Sequence, residues 1–264
     1  MPIGDGELWD LARAKTVKQR VLAAQAVSAP ESVIALLVSD PSPAVRRTLA
    51  ARDDLQVRET LHRLAHDPDL KTRQALAANP ICPPEILVEL VHDPHWSVRW
   101  DLPSHPNTNS QVRHAIAESP DVDLRRLMAE DASLDYETAR LLLSDDAETV
   151  RAALAAHTTY PDILETLLSE HDNDVRAGAA QNGLTTAAQR HSLARDRSAL
   201  VRANLLKFVA LEEDDLRLLA RDRSINVRWW LATWPSTPTS VLQILAQDSN
   251  LEIASQATAT LRER

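Results

Sequence analysis

The chain has 264 residues, a formal net charge of −9, 44% hydrophobic residues and only 3% aromatics. The acidic balance disfavours a nucleic-acid partner, four glycines leave little material for phosphate-cradling loops, and the single cysteine, Cys82, excludes an internal disulfide and a multi-cysteine metal or iron–sulfur site. No stretch, including the N-terminal MPIGDGELWDLARAK, is apolar enough for a signal peptide or a membrane span, so no membrane partner and a cytoplasmic protein are expected.

In chain order, the first predicted element is a helix over residues 7–14 (ELWDLARA), followed by a segment that carries Arg20. An arginine then returns at Arg46, Arg73, Arg99, Arg125, Arg151, Arg176, Arg202 and Arg228, and Ala254 takes the next slot. Steps of 25 to 27 residues throughout make residues 1–264 a single repeat domain, in which each unit packs only on its neighbours.

The residue before each arginine, from Val45 through Val98, Val150 and Val227 to Ile253, is apolar in all but the Gln19 and Thr72 units. Four residues later stand Leu49, Leu102, Leu154, Leu231 and Ala257, so one helical face is buried. An acid stands five residues before most of these slots: Asp40, Asp67, Asp93, Asp145, Glu170, Asp196, Asp222 and Asp248. Two residues beyond that acid come Ser42, Asp69, Asp121, Asp172, Ser198, Ser224 or Asn250, residue types that cap helix N-termini. At the other end, Asn79, His105, Asp131, His157 and Asn182 are types that accept a left-handed backbone conformation, and such a helix stop is expected there.

A second short helix carries Ile86–Leu87–Leu90–Val91, Ile163–Leu164–Leu167–Leu168 and Val241–Leu242–Leu245–Ala246, preceded by Pro84, Pro161 and Pro238. No segment alternates with period 2, so no strand is expected. Helices of roughly 6–10 residues do not persist alone, and stacking must stabilise them. The expected fold is all-α: a right-handed α-solenoid of about ten short two-helix repeats with a period near 26 residues, closed by the polar tail ATLRER.

The spacing of Asp, Val-Arg and apolar pair resembles HEAT-like repeats. The short period and the prolines resemble the leucine-rich repeat variant family more closely, best in LAANPICPPEILVELVHDPHWSVRW (Leu76 to Trp100). The resemblance implies a right-handed superhelix that alternates an α-helix with a 3₁₀ or short helix. A founding member's cysteine-ligated iron–sulfur cluster does not carry over, since its cysteines are missing here; no cofactor is expected. HEAT-like arrays are mostly protein-binding scaffolds, and some are DNA alkylation-repair glycosylases.

The arginines read chiefly as structural partners of the acids six residues before them, with Asp40 and Arg46, Asp93 and Arg99, and Asp222 and Arg228 pairing within or between units, and as a polyanion-binding row only secondarily. Tryptophan is what breaks the repeat. Trp100 and Trp229 fill a slot that holds Arg47, Gln74 or Arg126 in other units, and Trp96, Trp230 and Trp234 stand nearby. These residues are either the anchors of a binding surface, together with Arg47 and Arg126, or fillers where Ala-rich layers leave gaps. His62 and His66, at i and i+4, with His92 in the slot equivalent to His66, make the best metal candidate, but exposed helix-end histidines are the commoner explanation and no metal is expected. Arg99, Trp100 and Asp101 alone resemble a glycosylase constellation, with Asp101 as its carboxylate. The expected function is a non-enzymatic protein- or peptide-binding scaffold, the alternative being a DNA-repair glycosylase.

Overall fold

The computed structural model describes residues 4–27, 29–55, 57–208 and 210–263; residues 1–3 of the N-terminal segment and Arg264 of the tail lie outside the described residues. Among the described residues there are helices and no strand. The chain divides into two units, Met1–Leu124 and Arg125–Arg264.

The first unit holds α1 (Asp5–Ala12), α2 (Val17–Gln25), α3 (Glu31–Leu37), α4 (Pro43–Ala50), α5 (Arg58–Ala65), α6 (Leu70–Ala77), α7 (Pro84–Leu90), α8 (Trp96–Arg99), a 3₁₀ turn (Leu102–Ser104) and α9 (Ser110–Ala117). Helix α10 (Val122–Ala129) spans the division. The second unit holds α11 (Tyr136–Leu143), α12 (Glu148–His157), α13 (Pro161–Leu168), α14 (Asn173–Ala179), α15 (Ala187–Leu193), α16 (Ala199–Phe208), α17 (Glu213–Leu219), α18 (Ile225–Thr233), α19 (Thr239–Leu245) and α20 (Leu251–Arg262). Every even-numbered helix from α2 to α18 carries one repeat arginine.

Packing follows from that parity. In the first unit α2, α4, α6 and α8 stack in succession and α5, α7 and α9 form the other layer. In the second, α12, α14, α16, α18 and α20 stack, with α11 on α13 and α17 on α19. The apolar slots fill the space between the layers: Val45, Leu49, Val98, Val150, Val175, Val201, Val227, Leu231 and Ile253 are all fully or almost fully buried. Small residues allow close approach. A Cβ placed on Gly178 of α14 would stand 2.3 Å from the Ala152 carbonyl oxygen of α12, so only glycine fits there.

Helix starts follow the expected chemistry in part. Asp69, Asp172 and Asn250 accept backbone N–H bonds as N-caps. Ser42 and Ser224 stand at the same position without a side-chain cap bond. There the acid two residues earlier acts instead, accepting the N–H of the cap residue, as Asp40 does from Ser42 at 2.8 Å and Asp222 from Ser224 at 2.7 Å.

The expected left-handed helix stops do not occur: no described residue has a positive φ. Three of those polar residues, Asn79, His105 and Asn182, instead reach back to the previous repeat, whereas Asp131 accepts locally from Ser133 and His157 is exposed. Asn79 Nδ2 donates to the carbonyls of Ala50 (2.9 Å) and Arg52 (2.6 Å), and Asn182 Nδ2 to Ala155 and Thr158 (both 2.9 Å). In the same slot, Arg52 donates to the Ala24 carbonyl, His105 shares a bond with the Asn79 carbonyl, and Thr260 donates to Ala232. The last carbonyls of a helix have no partner within it; here the next repeat supplies one.

One even helix is interrupted. Pro103 lacks the N–H that would continue α8, so the helix stops after one turn and resumes as the 3₁₀ turn. Leu102 still reaches its buried slot, while Asp101 is left exposed at the break.

Candidate functional site

Each repeat arginine is consumed by the stack itself. Its carboxylate partner is the acid of the following repeat, not the acid six residues before it. Arg46 meets Asp67 through Nε (2.6 Å) and Nη2 (2.9 Å), while its Nη1 takes the backbone carbonyl of Asp40 (2.6 Å). Arg202 repeats the arrangement with Asp222 (2.6 and 2.8 Å) and the Asp196 carbonyl (2.6 Å), and Arg228 with Asp248 (2.6 and 3.1 Å) and the Asp222 carbonyl (2.6 Å). The fork satisfies a planar guanidinium from two repeats at once. Where Ser119 replaces the acid, Arg99 pairs with Asp121 two residues on.

The carboxyls register this. Burial pushes Asp145, Asp196 and Asp222 up, but hydrogen bonds from arginine and from a backbone N–H, with the arginine charge, outweigh it and hold them below the usual carboxylate value. Asp248 is lowered chiefly by its bond from Arg228. The two arginines considered as binding residues beside the tryptophans are also engaged: Arg47 with Asp69 of the next repeat at 3.1 Å, and Arg126 with Glu130 on its own helix.

With the arginines occupied, the departures from the repeat stand out. Trp96, Trp100, Trp229 and Trp230 are between 38% and 60% exposed, which no core residue of the array approaches. In the first unit Trp96 meets Trp100 edge-on, with ring centres 6.0 Å apart, and His95 stacks on its other side at 6.1 Å. Trp96 lines an open groove of about 600 Å³ with His92, Arg99, Asp121 and Asp123; Trp100 and Asp101 do not line it. Arg99, Trp100 and Asp101 thus point to different partners: the arginine to Asp121, the tryptophan to Trp96, the aspartate to solvent.

In the second unit Trp229 and Trp230 of α18 face α16 across a groove of about 370 Å³. Its floor is Ala199, Leu200 and Ala203, and its polar rim is Asn204, Lys207, Ser224 and Asn226. Residues 199, 203 and 207 recur every four positions on one face of α16, where small side chains open the space that two indoles border. Lys207 Nζ lies 4.8 Å from the centre of the Trp230 ring, a cation–π contact. Among the described residues, those that line this groove include no carboxylate. Trp234 takes a different place, packing on the core beside a separate cavity bordered by Leu206, Leu211, Leu216, Leu231 and Pro238.

The histidines separate likewise. His62 and His66 lie together, with ring centres 4.7 Å apart, and the third group beside them is Glu89 of α7 rather than His92. Cys82 is buried, and burial raises its thiol to about 12, which favours the protonated form at neutral pH.

Asn204, Asn226, Lys207 and Glu89 were not singled out by sequence reasoning. The signal for the first three is the pair Ala199 and Ala203, one turn apart on α16, opposite two adjacent tryptophans. Glu89 stands one residue past the slot equivalent to His62, where a side chain reaches back to the preceding helix of the same layer.

Stacked two-helix repeats of this kind, closed by arginine–acid pairs, define an all-α helical repeat protein. No protein-family model and no curated protein sequence matches the chain. Among solved structures it is similar to a leucine-rich repeat variant with a novel repetitive structural motif, at 19% identity over 85% of this chain and 88% of that chain, with a TM-score of 0.57. Its fold is therefore that of a leucine-rich repeat variant. A computationally designed armadillo repeat protein for modular peptide recognition aligns over 98% of both chains at 15% identity, but its TM-score of 0.17 is too low for a shared global arrangement.

Proposed function

We propose that this protein is a non-enzymatic repeat scaffold that binds an extended peptide segment of a partner protein, with the Trp229–Trp230 groove as its principal contact. The observation that carries the reading is this groove: two exposed indoles over an Ala/Leu floor, rimmed by two carboxamides and a lysine. The floor accepts a large apolar side chain. Asn204 and Asn226 each offer a donor and an acceptor to a peptide backbone, and Lys207 favours a neighbouring carboxylate on the partner. Rigid aromatic side chains that are exposed in the free protein are the usual anchors of such interfaces. Trp96 and Trp100, similarly exposed, make a second contact.

The test is a peptide-library selection on the purified chain, followed by affinity and melting measurements on variants. Selected peptides are expected to combine an apolar side chain with a nearby acid. Trp229→Ala is expected to weaken them by about 2 kcal/mol or more, roughly 30-fold, with little change in melting point. A Trp229→Ala protein that melts earlier yet binds equally well would make the indole a packing residue and remove the groove from consideration.

A further inference from the structure

We propose that His62, His66 and Glu89 form a binding site for a divalent transition-metal ion of the zinc, cobalt or nickel type. His62 lies in the last turn of α5, and His66 follows it as the C-cap residue, four positions on. Helical geometry puts both imidazoles on one side. Glu89 reaches them from α7, the next helix of the same layer, with Oε2 2.8 Å from His62 Nδ1 and 3.6 Å from His66 Nδ1. One donor atom from each of the three side chains lies within 4.8 Å of the others.

Those separations suit an ion. Zinc bonds of about 2.0–2.2 Å to nitrogen and oxygen place the donors of a tetrahedral site roughly 3.3–3.5 Å apart, inside the range already present. Small rotamer adjustments bring the three groups to that spacing. Both histidines are exposed, so an ion has an open path and water can complete the coordination. Two imidazoles with one carboxylate select a borderline ion, since magnesium and calcium take oxygen donors. His66 Nδ1 lies 3.0 Å from the His62 carbonyl oxygen; as the donor of that bond it orients the ring and leaves Nε2 of His66 as the atom that binds the ion. A simple His62–Glu89 ion pair accounts for one imidazole. It gives no reason for a second to crowd the same carboxylate.

A bound ion would link α5 to α7 and so join two successive repeats of the first unit. Binding to the folded state alone raises stability by mass action. The experiment uses the full chain stripped with a chelator, titrated by calorimetry with zinc chloride and followed by thermal melting. One equivalent is expected to bind, and zinc is expected to raise the melting point where magnesium and calcium do not. His66→Ala and Glu89→Gln are each expected to weaken zinc at least about tenfold, while His92→Ala leaves it unchanged. Both histidines are exposed and Glu89 is half-buried without filling a core slot, so the metal-free variants should match the parent by circular dichroism. Cobalt(II) added to the parent protein gives a reading independent of any variant, a visible ligand-field band displaced by zinc. Absence of saturable one-equivalent binding, undiminished binding in the His62→Ala/His66→Ala double variant, or a cobalt spectrum like that of the free ion would each overturn the site.

Discussion

Replacing Asp222 with alanine tests the arginine ladder most directly. The Arg202 and Asp222 side chains are only 6% and 7% exposed, and Asp222 also accepts the Ser224 N–H at 2.7 Å. Removing the carboxylate leaves a buried guanidinium with the Asp196 carbonyl as its remaining partner and takes away the bond that starts α18. Stranding one member of a buried pair typically costs about 3–5 kcal/mol; the surviving carbonyl bond places Asp222→Ala near the lower end, about 3 kcal/mol. The more exposed Arg47–Asp69 pair supplies the internal comparison, since Arg47→Ala should cost under about 1 kcal/mol. Urea unfolding followed by circular dichroism measures both. Hydrogen exchange should localise the Asp222→Ala loss to α16 and α18, because repeats couple mainly to their neighbours. If Asp222→Ala costs no more than Arg47→Ala, the ladder is not what holds adjacent repeats in register.

Gly178→Ala is expected to destabilise by about 1–3 kcal/mol through overpacking, in spite of alanine's better helix propensity, because the added Cβ meets the Ala152 carbonyl at 2.3 Å and backbone cannot rotate away; an unchanged or raised melting point would contradict this. Acid should also unfold the chain. Asp145, Asp196, Asp222 and Asp248 titrate lower in the folded protein than in the unfolded one, so the stability they contribute is complete above the unfolded value of about 4 and is lost as pH falls through the folded values. Urea midpoints should therefore stay level from pH 7 to about 5 and fall below about 4; a midpoint that holds to pH 3 would refute the assignment.

Much of the fold was legible because the repeat states its own alignment. The Val and Leu slots, the prolines at helix starts and the absence of period-2 alternation led to the stacked helices that are observed. Partner identity was harder. An acid six residues before Arg46 and another 21 residues after it are both in reach once repeats stack, and a single-repeat view favours the nearer one. In the structure the nearer acid offers its backbone carbonyl and the farther one its carboxylate. Asn79 and Asn182 misled for the same reason: their residue type suits a left-handed stop, yet their amides bond to carbonyls one repeat away. The candidate site was half visible. Trp229 and Trp230 announce themselves by breaking the pattern, whereas the alanine floor of α16 looks like ordinary repeat filler until the two helices are placed side by side.

The arginine fork also gives the stack a direction. Within each unit the donor always belongs to the earlier repeat and the carboxylate to the later one, as in Arg176 to Asp196, Arg202 to Asp222 and Arg228 to Asp248. Such a junction is indifferent to which repeat stands on either side but not to their order along the chain. A segment of one period cut from inside the stack and copied in tandem would carry one donor and one acceptor, and both new joints would close like the old ones. Gene duplication can therefore lengthen this array one cassette at a time while the outward residues of each copy drift freely, and a pair of tryptophans facing two alanines one turn apart is the kind of local identity that such drift can write onto an otherwise interchangeable part.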